Sequence, residues 1–267
     1  MDIVDPGCRP IVISFLGVFL LVALAELVWP RRTLVASKGQ RWFCNIAIVA
    51  IDSVTARLVL PLMPLGMAGI ATAKGWGIFN LLAVPGWLEI VMVILILDLV
   101  IYLQHRGFHR VPLFWRFHRM HHTDLDLDVS SGNRFHPIEI LVSLLIKLAA
   151  VVVLGAPAAA VVIFEVALNA SSLFNHGNLR IPTSVDDRLR LLIVTPDMHR
   201  VHHSIIPGET DSNFGFNLPW WDRMLGTYRD QPREGHIGMI IGLKEFRDEQ
   251  KLGLGSLLML PFRGRNG

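Results

Sequence analysis

Cysteine is nearly absent, with only Cys8 and Cys44 in 267 residues. So few and so isolated, they exclude a disulfide framework and a thiolate metal site. Charge is sparse as well: Asp, Glu, Lys and Arg make up 18% of the chain. No HExxH occurs, so the metalloprotease pattern of two ligands with a built-in carboxylate base is missing. No low-complexity segment interrupts the sequence. A secretory leader is not expected either. Asp2 and Asp5 precede the first apolar run, which is long and ends in Trp29-Pro30-Arg31-Arg32 without a small-residue cleavage site. The net charge of +3 and the pI near 9.1 come from basic residues in loops between apolar segments. That placement points to topology and lipid headgroups rather than to nucleic acid.

What the chain has is apolar length. Hydrophobic residues make up 52% and mean hydropathy is +0.47. Ile11–Trp29 is long enough to cross a bilayer core, with Trp29, Arg31 and Arg32 as interfacial anchors. Cys44–Ile70 is a second apolar stretch, weakened by Asp52, Arg57, Pro61 and Pro64. Asp52 and Arg57 are expected to face the interior, because charge facing lipid is costly. Pro85–Leu103 is a third span, and Ile138–Leu154 and Ala158–Phe174 form a hairpin about Gly155-Ala156-Pro157. The hairpin lengths fit a crossing and return, or a re-entrant pair. The expected fold is all-α: a polytopic membrane helical bundle in a single domain over residues 1–267, with a cytoplasmic His-rich helical cap.

Ten of the eleven histidines follow a pattern. His105 and His109 form an HxxxH; His118, His121 and His122 form an HxxHH, repeated by His199, His202 and His203; His136 and His176 stand alone. At about 100° per residue, the rings of an HxxxH lie within about 40° on a helix and those of an HxxHH within about 100°. Imidazole is the common neutral nitrogen ligand of iron, copper and zinc. Two boxes and an HxxxH together mark a polyhistidine metal site. If the basic loop Arg31–Arg41 is cytoplasmic, the span order returns all ten to that same face. The span assignment did not presuppose this.

Asp98 and Tyr102 share a helical stripe of about 60° with His105 and His109. Asp98 is therefore expected to hold a ligand ring by its free N–H. His136, before Pro137, reads either as a residue that opens a helix or as a ligand, and we count it among the ligands. His176 emerges where the hairpin returns and is expected to ligate, with Asn178 beside it to bind a ring or a ligating water. His236 reads as a surface residue. Trp220, Trp221 and Tyr228 read mainly as packing.

Ten nitrogens are too many for one ion. Shared between two, about five each, they suit octahedral iron with a position left open better than tetrahedral zinc. Dinuclear iron beside a bilayer has alkyl chains and rings for substrates, whose C–H bonds yield to few other reagents. At these residues the chain resembles the fatty acid hydroxylase/sterol desaturase superfamily of integral-membrane non-haem di-iron oxygenases. The resemblance rests on DxxxYxxHRxxH from Asp98 to His109, HxxHH at His118–His122, the pair His136-Pro137, His176, HRVHH at His199–His203, and the DSNFGF and WWDRMLGTY runs ending at Tyr228. It covers residues 98–228 and marks them as the catalytic region. The HxxxH departs from the longer spacing of the carotenoid hydroxylase branch. The sequence has no HPGG, so a fused cytochrome b5 domain is not expected.

The resemblance implies two ferrous ions, O2 and a hydrophobic lipid (sterol, fatty acyl or alkyl lipid) that is hydroxylated or desaturated. It also implies a separate electron donor of cytochrome b5, ferredoxin or reductase type. The membrane would be the inner membrane of a bacterium or the endoplasmic reticulum of a eukaryote. Two other readings compete. A metal carrier or sensor would be expected to place its ligands near mid-bilayer, whereas these boxes lie beyond the span ends. A metal-dependent lipid hydrolase would need a carboxylate base, for which Asp98, Asp124 and Asp197 are the candidates.

Overall fold

Proline, glycine and small polar caps cut the apolar sequence into helices, and no β-strand forms among the described residues. The computed structural model describes residues 9–60 and 62–263; Asp2, Asp5, Cys8 and Pro61 lie outside them. The long helices are α1 (Arg9–Val28), α2 (Lys38–Val59), α3 (Pro64–Lys74) and α4 (Gly86–Arg110). After the short α5 (Pro112–His118) come the hairpin helices α6 (Pro137–Leu154) and α7 (Ala158–Asn175), then the short α8 (Pro196–His202). The second apolar stretch is two helices rather than one. α2 ends at Val59, and Pro64 opens α3, where its missing N–H costs nothing. The hairpin turns at Gly155, a left-handed C-cap with φ +67°.

Five described segments are long and apolar enough to cross a membrane: Arg9–Val28, Lys38–Leu81, Gly86–Arg110, Pro137–Leu154 and Ala158–Asn175. Their apolar side chains largely face outward, as with Ile13, Leu20, Leu21 and Leu27 on α1. An apolar exterior of this extent suits lipid, not water. Asp52 is buried as expected, but Arg57 is exposed in the last turn of α2, where a long cationic side chain can reach the interface.

α1 packs on α7, α2 and α3 pack on α6, and α4 packs on both hairpin helices. Several bonds gather their ends. Arg31 N–H donates to the Asn178 carbonyl at 2.9 Å, which joins the end of α1 to the end of α7. Glu26 on α1 accepts from the N–H groups of Val129 and Asn178. Arg41 in the first turn of α2 bonds Asp124 at 2.6 Å. His118 at the end of α5 bonds Glu139 in the first turn of α6. One end of the bundle therefore carries a polar cap built from residues 111–136 and 176–263. At the opposite end the backbone of Gly77 (φ +94°) lies against Gly155 so closely that a Cβ would meet the Gly155 nitrogen at 2.0 Å.

Candidate metal centre

Each histidine reaches the cap by a local device. The last turns of α4 carry His105 and His109, and α5 ends at His118. A 3-10 turn over His121–Thr123 carries the next pair, and His176 is the C-cap of α7. Thr195 caps α8 by accepting from Met198 N–H, with Pro196 at the first helical position, so that His199 and His202 lie inside the helix and His203 at its C-cap.

The loop between the first box and α6 is held from within. Arg41 donates to Asp124, Asp128, the Asp126 carbonyl and Ser131, while Arg134 donates to Asn45, Thr123 and the Met120 carbonyl. Burial pushes the Asp124 carboxyl up, but Arg41 and Arg134 outweigh it and hold it below the usual carboxylate range.

Nine rings meet in two groups. His105, His109, His118, His122 and His202 form one; His121, His176, His199 and His203 form the other; within each group the ligand atoms lie within 4.8 Å of one another. Eight of these residues are buried, and the His109 side chain is itself only 1% exposed. Six of the nine Nδ1 atoms are tied to oxygen acceptors. His105 donates to the Phe214 carbonyl, His202 to that of Ser212, His176 to that of Ser172, and His121 to that of Arg134. His118 donates to Glu139 at 2.6 Å and His109 to Asp211 at 3.2 Å. A carbonyl or carboxylate accepts, so in these rings the proton is on Nδ1 and Nε2 presents a bare lone pair.

Those lone pairs face one another. His105 Nε2 lies 3.1 Å from His118 Nε2, and His121 Nε2 lies 3.1 Å from His176 Nε2. Two acceptors at that distance repel unless a cation lies between them. Two nitrogens each about 2.1 Å from one ion are about 3.0 Å apart at a right angle and about 3.4 Å at the tetrahedral angle. The neighbouring distances, 3.1 Å for His176–His199 and 3.3 Å for His199–His203, fall in the same range. The buried Nε2 atoms of His109, His122 and His202 have no partner among the described residues. The donor set therefore fits two nitrogen-loving ions. Burial, and after it the neighbouring rings, lowers the pKa of His121, His122, His199, His202 and His203 well below the usual value. Burial takes His118 to about 3 and His176 to about 4. These rings are neutral at pH 7, the form that ligates.

The two HxxHH boxes are near copies in space. Ring centroids are 5.3 Å apart at 88° in both His121–His122 and His202–His203, and 5.0 Å apart in both His118–His122 and His199–His203. Across the boxes, His121–His203 and His122–His202 match at 4.6 and 4.7 Å. Each box splits between the groups: His118 and His122 go to one and His121 to the other, while His202 goes to one and His199 and His203 to the other. His105 and His176 complete the pseudo-two-fold arrangement, and His109 is the odd ring.

The remaining predicted residues sit elsewhere. His136 is not in either group. It caps α6, its Nδ1 accepting from Ile138 N–H and its Nε2 facing the Leu258 carbonyl at 3.1 Å; with Pro137 fixing the first turn, the ring folds back over the helix start. Asp98 holds no histidine ring. Its carboxylate accepts from Asn217, Leu218 N–H and Trp221 Nε1, and so anchors the segment after the second box. Tyr102 bonds Thr227 and packs edge-on to Phe214, which itself abuts His105. Asn178 clamps the Arg32 backbone through both ends of its amide. His236 is 6% exposed and faces Asp197 at 3.6 Å, and burial lowers its pKa to about 4. Asp197 is paired with Arg31 and Arg200, and Asp124 with Arg41, so neither carboxylate is free to act as a base.

Glu139 and Asp211 are the carboxylates that bond rings of the two groups, and sequence reasoning passed over both. Glu139 had a signal, an acid in the first turn of an apolar span three residues after His136. The DSNFGF run is explained by its backbone: Ser212 and Phe214 supply carbonyls to two rings, Asn213 turns the chain at φ +51°, and Asp222 holds Phe214 and Gly215 N–H at 2.8 Å each.

Two openings reach the rings. A cavity of about 150 Å³ between α4, α6 and α7 is bounded by His105 and His118 at one end. A wider one of about 590 Å³ on the cap reaches His109 beside Trp115 and Asp211.

A model of the fatty acid hydroxylase family matches residues 90–227, just over half of the chain. The ornithine lipid hydroxylase OlsE of Rhizobium tropici is 33% identical over 149 residues, which are 56% of this chain and 44% of that protein. Alkylglycerol monooxygenase of Xenopus tropicalis is 24% identical over 248 residues, 87% of this chain and 50% of its own length. The Homo sapiens protein of the same name is 27% identical over 152 residues, 56% and 32%. The chain spans half or less of the length of these relatives. No solved structure matches it.

Proposed function

Because the chain belongs to the fatty acid hydroxylase family, we propose that it is an integral-membrane di-iron oxygenase that hydroxylates or desaturates a lipid. One observation carries this reading: nine enclosed rings in two groups, their lone pairs facing inward. His105, His109, His118, His122 and His202 would hold one ion, and His121, His176, His199 and His203 the other. Iron held there supplies dioxygen activation: in hydroxylation one oxygen atom enters a C–H bond and the other leaves as water, with two electrons and two protons from outside. A separate protein delivers the electrons.

The protein's own part is orientation and exclusion. Glu139, Asp211 and the four carbonyls fix ring tautomers and angles before any ion arrives. Phe135 lies flat on His121 at 4.6 Å and Phe216 leans on His105 at 5.1 Å, which keeps water from the rings. The cavity against His105 and His118 opens among membrane helices, so a lipid reaches the site without crossing the cap. Residues 98–228 would form the catalytic region of one membrane domain, and the basic loop Arg31–Arg41 supports a cytoplasmic position for the cap. The relatives named for ornithine lipids and alkylglycerols support a lipid with a polar end as substrate.

The test is anaerobic purification, metal analysis and turnover under labelled dioxygen with reductant. Two ions per chain and label in a lipid product, or loss of two hydrogens, are expected, and His121→Ala should abolish turnover while the protein stays folded. Ester or amide cleavage at full rate without oxygen would replace the oxygenase with a hydrolase.

A further inference from the structure

The cavity between α4, α6 and α7 is polar far beyond what a hydrocarbon requires. Along α6, Glu139, Ser143 and Lys147 repeat every four residues, so they form one stripe facing the cavity. From α7, Glu165 and Asn169 line the same space, and Gln104 from α4 donates to Ser143 at 2.8 Å. Lys147 lies about 12 Å along α6 from Glu139 at about 1.5 Å per residue, well inside the span. Its ammonium bonds Glu165 at 2.7 Å, and both side chains keep about 15% exposure.

An ionisable pair at this depth is expensive and marks function more often than packing. A clasp between hairpin helices would account for the pair alone. It does not account for the other atoms. Glu139 is 96% buried, yet its Oε2 has no partner among the described residues, nor do Gln104 Oε1 and Asn133 Nδ2 at the same cavity. Lys147 makes one hydrogen bond of a possible three, and Glu165 uses one carboxylate oxygen. The buried unmet atoms among the described residues are thus acceptors on Glu139 and Gln104 and a donor on Asn133, with spare capacity on the partly exposed Lys147 and Glu165. Buried polar atoms left this way call for a partner that is itself polar.

We propose that this cavity takes the polar end of an amphiphile, one rich in amino or hydroxyl donors with at least one acceptor oxygen for Lys147. A zwitterionic aminoacyl headgroup is the closest charge match, its anion toward Lys147 and its ammonium toward Glu165. Resting on the oxygenase reading above, this holds the charged end about 12 Å along α6 from the Glu139 end of the cavity, so the carbon presented to the rings lies several bonds from the charges.

The experiment is binding, measured on the full metal-loaded chain in nanodiscs without oxygen or reductant. The probes are tritiated N-hexadecanoyl-lysine, 1-O-hexadecylglycerol and hexadecane. The lysine amphiphile should bind most tightly and hexadecane at least tenfold more weakly. Lys147→Met should cost tenfold or more for the lysine amphiphile with metal content unchanged. The swap Lys147→Glu with Glu165→Lys re-forms a clasp and should restore the melting temperature but not the affinity. Should these variants fail to fold, Asn169→Leu and Ser143→Ala read the same preference with milder changes. Equal binding of all three probes, or full recovery of affinity in the swap, would leave the pair a clasp and overturn the proposal. Headgroup-selective binding without turnover would sink the oxygenase and leave this proposal standing; turnover without headgroup selectivity would do the reverse.

Discussion

Replacing Glu139 with Gln tests whether the second carboxylate shell governs one ion or both. The 2.6 Å bond from His118 Nδ1 to Glu139 is charge-assisted and buried, with the carboxylate 4% exposed. Hydrogen bonds to charged groups are worth about 1.5–3 kcal/mol net, and each 1.4 kcal/mol is about tenfold in affinity. Gln keeps the acceptor and the shape but drops the charge, so about tenfold weaker metal binding is expected; Glu139→Ala, which also frees the ring, should approach 100-fold. Only the five-ring group contains His118. Titration with zinc against a chelator of known affinity should therefore show two steps in the wild type and a shift in one alone. Asp98→Asn, whose carboxylate touches no histidine, should shift neither. Equal movement of both steps, or none, would refute the assignment of Glu139 to one group.

Arg41→Met removes the cation that Asp124 and Asp128 bond, leaving Arg134 to act on Asp124; a loss of about 3 kcal/mol is expected, seen as a lower melting temperature, and an unchanged melt would show that the network is not what holds the loop. Asn178→Ala removes both bonds to Arg32 and should cost about 1–3 kcal/mol with two ions retained, whereas loss of an ion would return Asn178 to the site. Single cysteines at the exposed positions Arg233 and Lys244 should label from one side of the membrane and one at exposed Lys74 from the other; labelling of all three from one side would unmake the span order.

The spans and the boxes were legible because both are periodic: apolar length gives the helices, and helical angles give the converging rings. The expectation that the span order brings the boxes to one end agrees with the ties from Arg31, Arg41 and His118. What failed turned on side-chain direction. Asp98 lies on the predicted stripe, but Trp221 and Asn217 arrive from a segment 119 or more residues away and take its carboxylate. His136 was read by its neighbours in sequence, while Pro137 makes it a cap. Four ring anchors are backbone carbonyls, which leave no residue signature at all. The break of the second stretch was signalled by its prolines, yet where α2 would stop was not.

Neighbouring rings in each HxxHH belong to different groups, with centroids 5.3 Å apart in both boxes. Consecutive residues are tied by a peptide bond that holds their Cα atoms about 3.8 Å apart, so the gap between the groups is covalent in origin and is set twice over. Helices tilt as bilayer thickness changes, and this gap does not follow them. The boxes act as a pair of matched callipers. Seating an ion on either side leaves that separation unchanged, so the distance between the two positions should be the same in thin and thick bilayers.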